Sequence, residues 1–204
     1  MLLKWQQWNA LIQSYCDPMI PHEFKGFAFE SYVIRLFMNG DCMLPCKKLG
    51  AVKDAMNTNS NNNKKDKSST KQQSLNEGEL KLPSKPYISI LLIPTIKNFG
   101  TVDFFMTPDY LLQVTIAETH PIKHKQLCNI VNSMQVNHRQ LQEDKKIRFY
   151  FVVPEDIYDN FQYQKIVTSD NKEVTKLSNN LENVEQWVVK ISTTSGTANS
   201  NIGI

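Results

Sequence analysis

Apolar residues along the chain change spacing in a fixed order, and that order predicts the fold class. Trp5, Trp8, Leu11, Ile12 and Tyr15 recur at helical spacing until Pro18 and Pro21 intervene. A second helix is expected over roughly His22 to Met38, closed by Asn39-Gly40. Asp41 to Lys53 reads as irregular or a short strand. Further along, the period changes. Tyr87 to Pro94 (YISILLIP) is a continuous apolar run of strand length, and Thr101–Thr107 and Tyr110–Glu118 flank Pro108-Asp109 as a hairpin. Pro121 to Asp144 predicts a long helix, with Pro121 at the first helical position after Thr119 or His120 and with Leu127, Ile130, Val131, Met134 and Leu141 on one side. Ile147 to Val153 (IRFYFVV) is a buried strand ended by Pro154. A short helix from Glu155 to about Tyr163 and a final strand, Gln186–Ile191, complete the set. The sum is an α/β arrangement with a mixed central sheet flanked by helices.

Two stretches fall outside this pattern. Residues 57–79 (NTNSNNNKKDKSSTKQQSLNEGE) hold Leu75 as their lone apolar side chain, and residues 192–204 are mostly Ser, Thr, Asn and Gly. Neither buries enough apolar area to offset its ordering entropy. The expectation is one domain over 1–191, interrupted by a disordered insertion at 57–79 and followed by a disordered tail at 192–204. Roughly 170 residues then remain to form a core, which suffices without staples.

Composition narrows the class. No apolar run approaches the ~18 residues a membrane helix needs, and the N-terminus carries no secretion signal, so a soluble chain is expected. The chain has 4 cysteines among 204 residues, which is no disulfide scaffold. Its net charge of +3 permits nucleic-acid binding without arguing for it. Cys42 and Cys46 with His22 upstream lack the second pair that a structural zinc needs. Glycine loops for phosphates, G-x-S-x-G and H-E-x-x-H are all missing.

Three misfits inside the apolar pattern carry the candidate chemistry. Glu30 sits among Phe27, Ile34 and Phe37 on one helix face, beside a Phe29–Val33–Leu36 stripe. A carboxylate there either borders the stripe and meets a partner, or helps to orient a site. In the second hairpin strand Gln113 and Thr115 share a face. A three-residue loop would pair Asp103 with Thr115 and put all three polar groups together, whereas a two-residue loop would turn Asp103 away. At the start of the long helix, His120, Lys123, His124 and Lys125 crowd basic groups where the helix dipole favours acids. That is either a solvated turn or a seat for an anion such as phosphate.

A helix Glu, a strand Asp and a following Gln-x-Thr, then helix and strand, resemble the PD-(D/E)xK restriction-endonuclease-like fold with its αβββαβ core. GFAFE (26–30), VDFFMTPDYLLQVTIAETHPIKHKQL (102–127), RFYFVVPEDIYDNFQYQ (148–164) and VEQWVVKI (184–191) are similar to the C-terminal nuclease-like domain of Crinkler-type effectors and retrotransposon hot spot proteins. The resemblance implies a Mg²⁺-dependent nuclease domain acting on DNA. It makes Asp103 and Gln113 metal ligands, Glu30 the helix carboxylate, and Thr115 the occupant of the position normally held by Lys. Lys123 or Lys125 is then the substitute cation, with His120 or His124 for proton transfer, and the same four residues as nucleic-acid contacts. It also implies nuclear action or secretion into a host cell, although Lys64-Lys65-Asp66-Lys67 is too short and interrupted for a nuclear signal. The P-loop ATPase module that precedes this domain in longer relatives has no counterpart here. The alternative is a catalytically degenerate nucleic-acid-binding or effector-interaction module, because Thr115 cannot supply the charge of Lys.

Overall fold

A computed structural model describes residues 10–40, 43–50, 77–81, 91–92, 101–106, 110–137, 146–178 and 181–193. Trp5, Trp8, Cys42, the 57–76 part of the polar tract, most of YISILLIP, Pro108-Asp109 and the 194–204 tail lie outside them.

Helix α1 covers residues 10–16. A turn at 17–21 leads into α2, His22–Asn39, which follows Pro21 and ends at Gly40 with φ 67°, the left-handed conformation that glycine adopts without penalty. Next come strands β1 (Met43–Lys48) and β2 (Glu77–Lys81), then β3 (Leu91–Leu92), β4 (Phe104–Met106) and β5 (Tyr110–Val114). The chain continues through β6 (Ile122–Lys123), α3 (His124–Asn137), β7 (Ile147–Pro154), α4 (Glu155–Tyr158), β8 (Ile166–Val167) and β9 (Val184–Ile191).

Seven strands form one mixed sheet in the order β2-β1-β9-β7-β5-β4-β3, while β6 and β8 pair by themselves. Strands β5, β7 and β9 are parallel neighbours, and the remaining pairs of the large sheet are antiparallel. The mixed α/β class and the strand-to-helix-to-parallel-strand connection from β5 through α3 to β7 follow the expected order. β7 explains why: its burial is nearly continuous, because Phe149, Phe151 and Val153 face α3 while Tyr150 and Val152 face α2. On one side Leu127, Ile130 and Val131 of α3 pack on Leu111, Phe149 and Val188; on the other, Phe29, Val33 and Phe37 of α2 pack on Phe104, Leu112 and Val189.

Four expectations need correction. The polar tract does not run unbroken to 79, because Glu77, Gly78 and Glu79 belong to β2 and pair with Lys47, Cys46 and Pro45. The long helix does not begin at Pro121. Ile122 is drawn into the core and its N–H donates to the Lys165 carbonyl at 2.9 Å, so Ile122–Lys123 extend beside β8 and the helix starts at His124. The helix after Pro154 ends at Tyr158 instead of about Tyr163. Finally, Phe27 is 68% exposed, because the sheet takes the Ala28–Phe29–Val33–Phe37 side of α2, leaving Glu30 at the stripe's border.

One ion-pair knot ties the ladder's end. Glu185 Oε1 meets Lys48 Nζ at 2.9 Å and Lys146 Nζ at 2.6 Å. Burial pushes this carboxyl up, but the hydrogen bonds and charges of the two lysines outweigh it and hold it at about 2. Its contribution is therefore fully present above the unfolded value of about 4.3 and disappears as pH falls toward 2. Glu185→Gln is expected to cost ~1 kcal/mol at neutral pH, after discounting for the partly solvated lysines, and nothing at pH ~2. Urea melts at the two pH values check this.

Candidate functional site

Asp103 lies one residue before β4, and its backbone N–H still donates to the Leu112 carbonyl at 2.9 Å. Because Phe104 pairs with Leu112 and Met106 with Tyr110, the next step of the register sets Asp103 across from Gln113. A three-residue loop would have paired Asp103 with Thr115, and the observed pairing is displaced from that alternative by two residues. The face is unchanged, because strand parity is unaffected by a shift of two.

The contact that results is direct. Gln113 Nε2 donates to Asp103 Oδ2 at 2.8 Å, and the Val114 backbone N–H donates to the same oxygen at 2.6 Å. Asp103 Oδ1 takes no hydrogen bond among the described residues. Gln113 is 5% exposed, and its Oε1 is buried with no partner among the described residues. A buried carbonyl oxygen left without a donor is costly, and native structures rarely keep one without a reason.

Electrostatics sharpen the point. Burial raises Asp103 to about 6 against the two hydrogen bonds, and the Glu30 carboxylate adds to the rise by its charge. Burial likewise raises Glu30. The sheet and α2 therefore bring two strained carboxylates within electrostatic reach of each other, beside an amide oxygen that lacks a donor. These are hard oxygen atoms, and a divalent ion would relieve the repulsion between the two carboxylates. Among the described residues no three His, Cys, Asp or Glu side chains gather to hold a metal, so any such site relies on the Gln113 amide.

Gly26, one turn before Glu30, packs against the loop after β5, where a Cβ would sit 3.8 Å from Ile116. Thr115 in that loop is buried, and its Oγ1 accepts the Ala117 N–H at 3.1 Å, which shapes the turn.

The basic group does not converge. His120 is half-buried, and burial lowers its pKa, so its imidazole is neutral at neutral pH. Lys123 lies on β6 and donates to Asn171 Oδ1 at 2.5 Å and to the Thr168 carbonyl at 3.5 Å. His124, at the start of α3, faces Cys128 with Nε2 3.6 Å from Sγ, and Ser178 Oγ stands 3.4 Å from the same sulfur. Lys125 is exposed. The expectation that these four form one basic turn fails because they span a loop, a strand and a helix. Cys46 is buried in the core, and burial raises its pKa.

One residue that sequence reasoning missed holds the loop. Gln164, 4% exposed, donates Nε2 to the carbonyls of Glu118 (3.1 Å) and Gln162 (2.8 Å), and its Oε1 accepts the His120 N–H at 2.6 Å. Its backbone exchanges two hydrogen bonds with the Gln186 side chain, at 2.8 and 2.9 Å. A lone Gln in FQYQ gives no periodic signal, so only the contacts identify it.

No family model, curated protein or solved structure matches the chain.

Proposed function

We propose that the chain is a nuclease-fold domain of the PD-(D/E)xK restriction-endonuclease-like type, acting on DNA phosphodiesters with Mg²⁺. The observation that carries this reading is the Asp103–Gln113 pair, with Gln113 Oε1 unpartnered among the described residues and Asp103 raised to about 6 mainly by burial, Glu30 adding to the rise. Topology supports it: α2 precedes the antiparallel β3, β4 and β5, and α3 then crosses to the parallel β7. That order is compatible with an αβββαβ core if the β1–β2 pair, which follows α2 in the chain and lies next to β9 in the sheet, is counted as an addition.

Asp103 and Gln113 would hold the ion, and bound Mg²⁺ would supply Lewis-acid polarisation of the phosphate and activation of water. The chain's own residues do the rest. Val114 N–H and Gln113 Nε2 fix the Asp103 carboxylate, so its free oxygen is presented in one orientation. Glu30 adds negative charge that strengthens the hold of Asp103 on any positive charge, a proton included. The neutral imidazole of His120, on the loop after β5, is in the protonation state to accept a proton.

A second reading is favoured by Thr115 and Lys123. The position normally taken by Lys carries a hydroxyl engaged in its own turn, and Lys123 is committed to Asn171. On this reading the domain binds nucleic acid, or an effector partner, and has lost cleavage. Incubation of the full chain with a short DNA duplex and Mg²⁺ or Mn²⁺ separates the two. Cleavage by the wild type, reduced at least ~100-fold in Asp103→Ala, is expected of a metal-dependent site. Equal trace activity in both proteins sinks the catalytic reading, and salt-dependent duplex binding without cleavage supports the binding module.

A further inference from the structure

Away from the Asp103 site, two lysines share one aromatic ring. Lys47 of β1 lies with its Nζ 4.7 Å from the centroid of Tyr158, and Lys190 of β9 with its Nζ 5.1 Å from the same centroid. Both strands place them on the face covered by α3 and α4, because Lys47 pairs with Val188, two residues before Lys190, and Val188 packs in that core.

The environment of Lys47 is unusual for a cation. Its relative exposure is 9%, yet among the described residues neither it nor Lys190 forms an ion pair with a carboxylate. Lys47 Nζ donates at 3.0 Å to the Asp159 backbone carbonyl, so that residue approaches through its main chain. The acids of α4 have other partners. Glu155 accepts from the Ser192 and Thr193 hydroxyls at 3.1 and 3.2 Å, and Asp156 accepts from the Tyr15 hydroxyl at 3.2 Å.

A buried ammonium carries three donors and one positive charge, and a carbonyl with a ring face satisfies part of the first and little of the second. A second cation over the same ring adds repulsion in a partly desolvated place. Protein interiors keep buried charges when they are paired, and an anion would pair both lysines. Its chemistry follows from the donors: a compact oxyanion with several acceptor oxygens, which two lysines grip as point charges.

We propose that Lys47 and Lys190, set about Tyr158, form a binding site for a phosphate group. The claim is independent of any metal at Asp103. The phosphate belongs either to the free ion or to a nucleic-acid backbone, and one set of variants distinguishes the sources.

Thermal melts of the full chain with inorganic phosphate at tens of millimolar, chloride held equivalent in ionic strength, are expected to show a saturable rise in melting temperature. Lys47→Met and Lys190→Met keep much of the apolar stem and are each expected to fold and to lose most of that rise, while Lys47→Arg retains it. In parallel, the salt dependence of duplex binding identifies the source. A slope lowered by about 1 per lysine removed assigns the site to a backbone phosphate, and an unchanged slope assigns it to the free ion. A phosphate effect of the same size in the wild type and in both Met variants overturns the proposal. So does a wild type that phosphate does not stabilise beyond chloride, and the lysines then act only in packing against Tyr158.

Discussion

Asp103→Asn is expected to make the protein more stable at pH ~8 and no more stable at pH ~4. The carboxyl has an ordinary value near 3.8 and is held at about 6 in the fold, with burial the largest cause. Between those values the folded protein holds a proton that the unfolded chain has released. Stability therefore falls as pH rises from about 4 through about 6, and above that range the ionised Asp103 costs about 3 kcal/mol. Asn cannot ionise. Its oxygen can still accept from the Val114 N–H, and the amide of Gln113 can turn to suit, so the network survives. The gain at pH ~8 is at most about 3 kcal/mol, or ~6–12 °C in melting temperature for a chain of this size. A wild type whose stability is flat across that range would show that Asp103 is not strained.

Gln164→Leu is expected to be the most damaging single change outside the aromatic core. Leucine matches the volume but removes the acceptor for the His120 N–H and the donor for the carbonyls of Glu118 and Gln162. With three backbone groups losing their partner near a residue that is 4% exposed, the cost is about 3–5 kcal/mol, less whatever water can reach. Gln164→Glu keeps one acceptor and loses the Nε2 donor, so it is expected to fall between. Denaturant midpoints rank the three proteins. If Gln164→Leu lies within ~0.5 kcal/mol of wild type, the loop from Thr115 to His120 is held by something else.

How much of this was legible in the sequence depends on where each element's stability comes from. β7 and β9 read clearly because strands buried on both faces need continuous apolar runs, as IRFYFVV and QWVVKI provide. Helix α2 was legible at both ends, since Pro21 precedes it and Gly40 takes a positive φ after it. The β1–β2 pairing was legible in part: residues 41–53 read as irregular or a short strand, but EGELK continues a polar tract and gives little sign that Leu80 packs beside Leu44 and Cys46 of β1. The start of α3 was misjudged because Pro121 favours a first helical turn, while Ile122 gains more by entering the core beside β8.

The site divides in the same way. That Asp103 and Gln113 share a face was one of two outcomes the loop length left open in the sequence, and the facing partner depends on the register across residues that connect β4 and β5. Glu30 was visible as a charge in an apolar stripe, and the structure places it at the stripe's border with Asp103 in electrostatic reach. The basic cluster was an artefact of adjacency in sequence. His120, Lys123, His124 and Lys125 lie on a loop, a strand and a helix in succession, not on one helical turn. Lys47 and Lys190 had the opposite fate: 143 positions apart, they meet at one tyrosine.

The central claim is that the Asp103–Gln113 pair holds a divalent cation. Titration of Mn²⁺ into the full chain at pH ~8, followed by calorimetry, tests it most directly. The account predicts one saturable site that is absent in Asp103→Asn and weakened about tenfold or more in Gln113→Leu, with affinity falling as pH drops through about 6 because the proton competes for Asp103. Wild type that takes up no ion, or Asp103→Asn that binds it as tightly as wild type, would contradict the account.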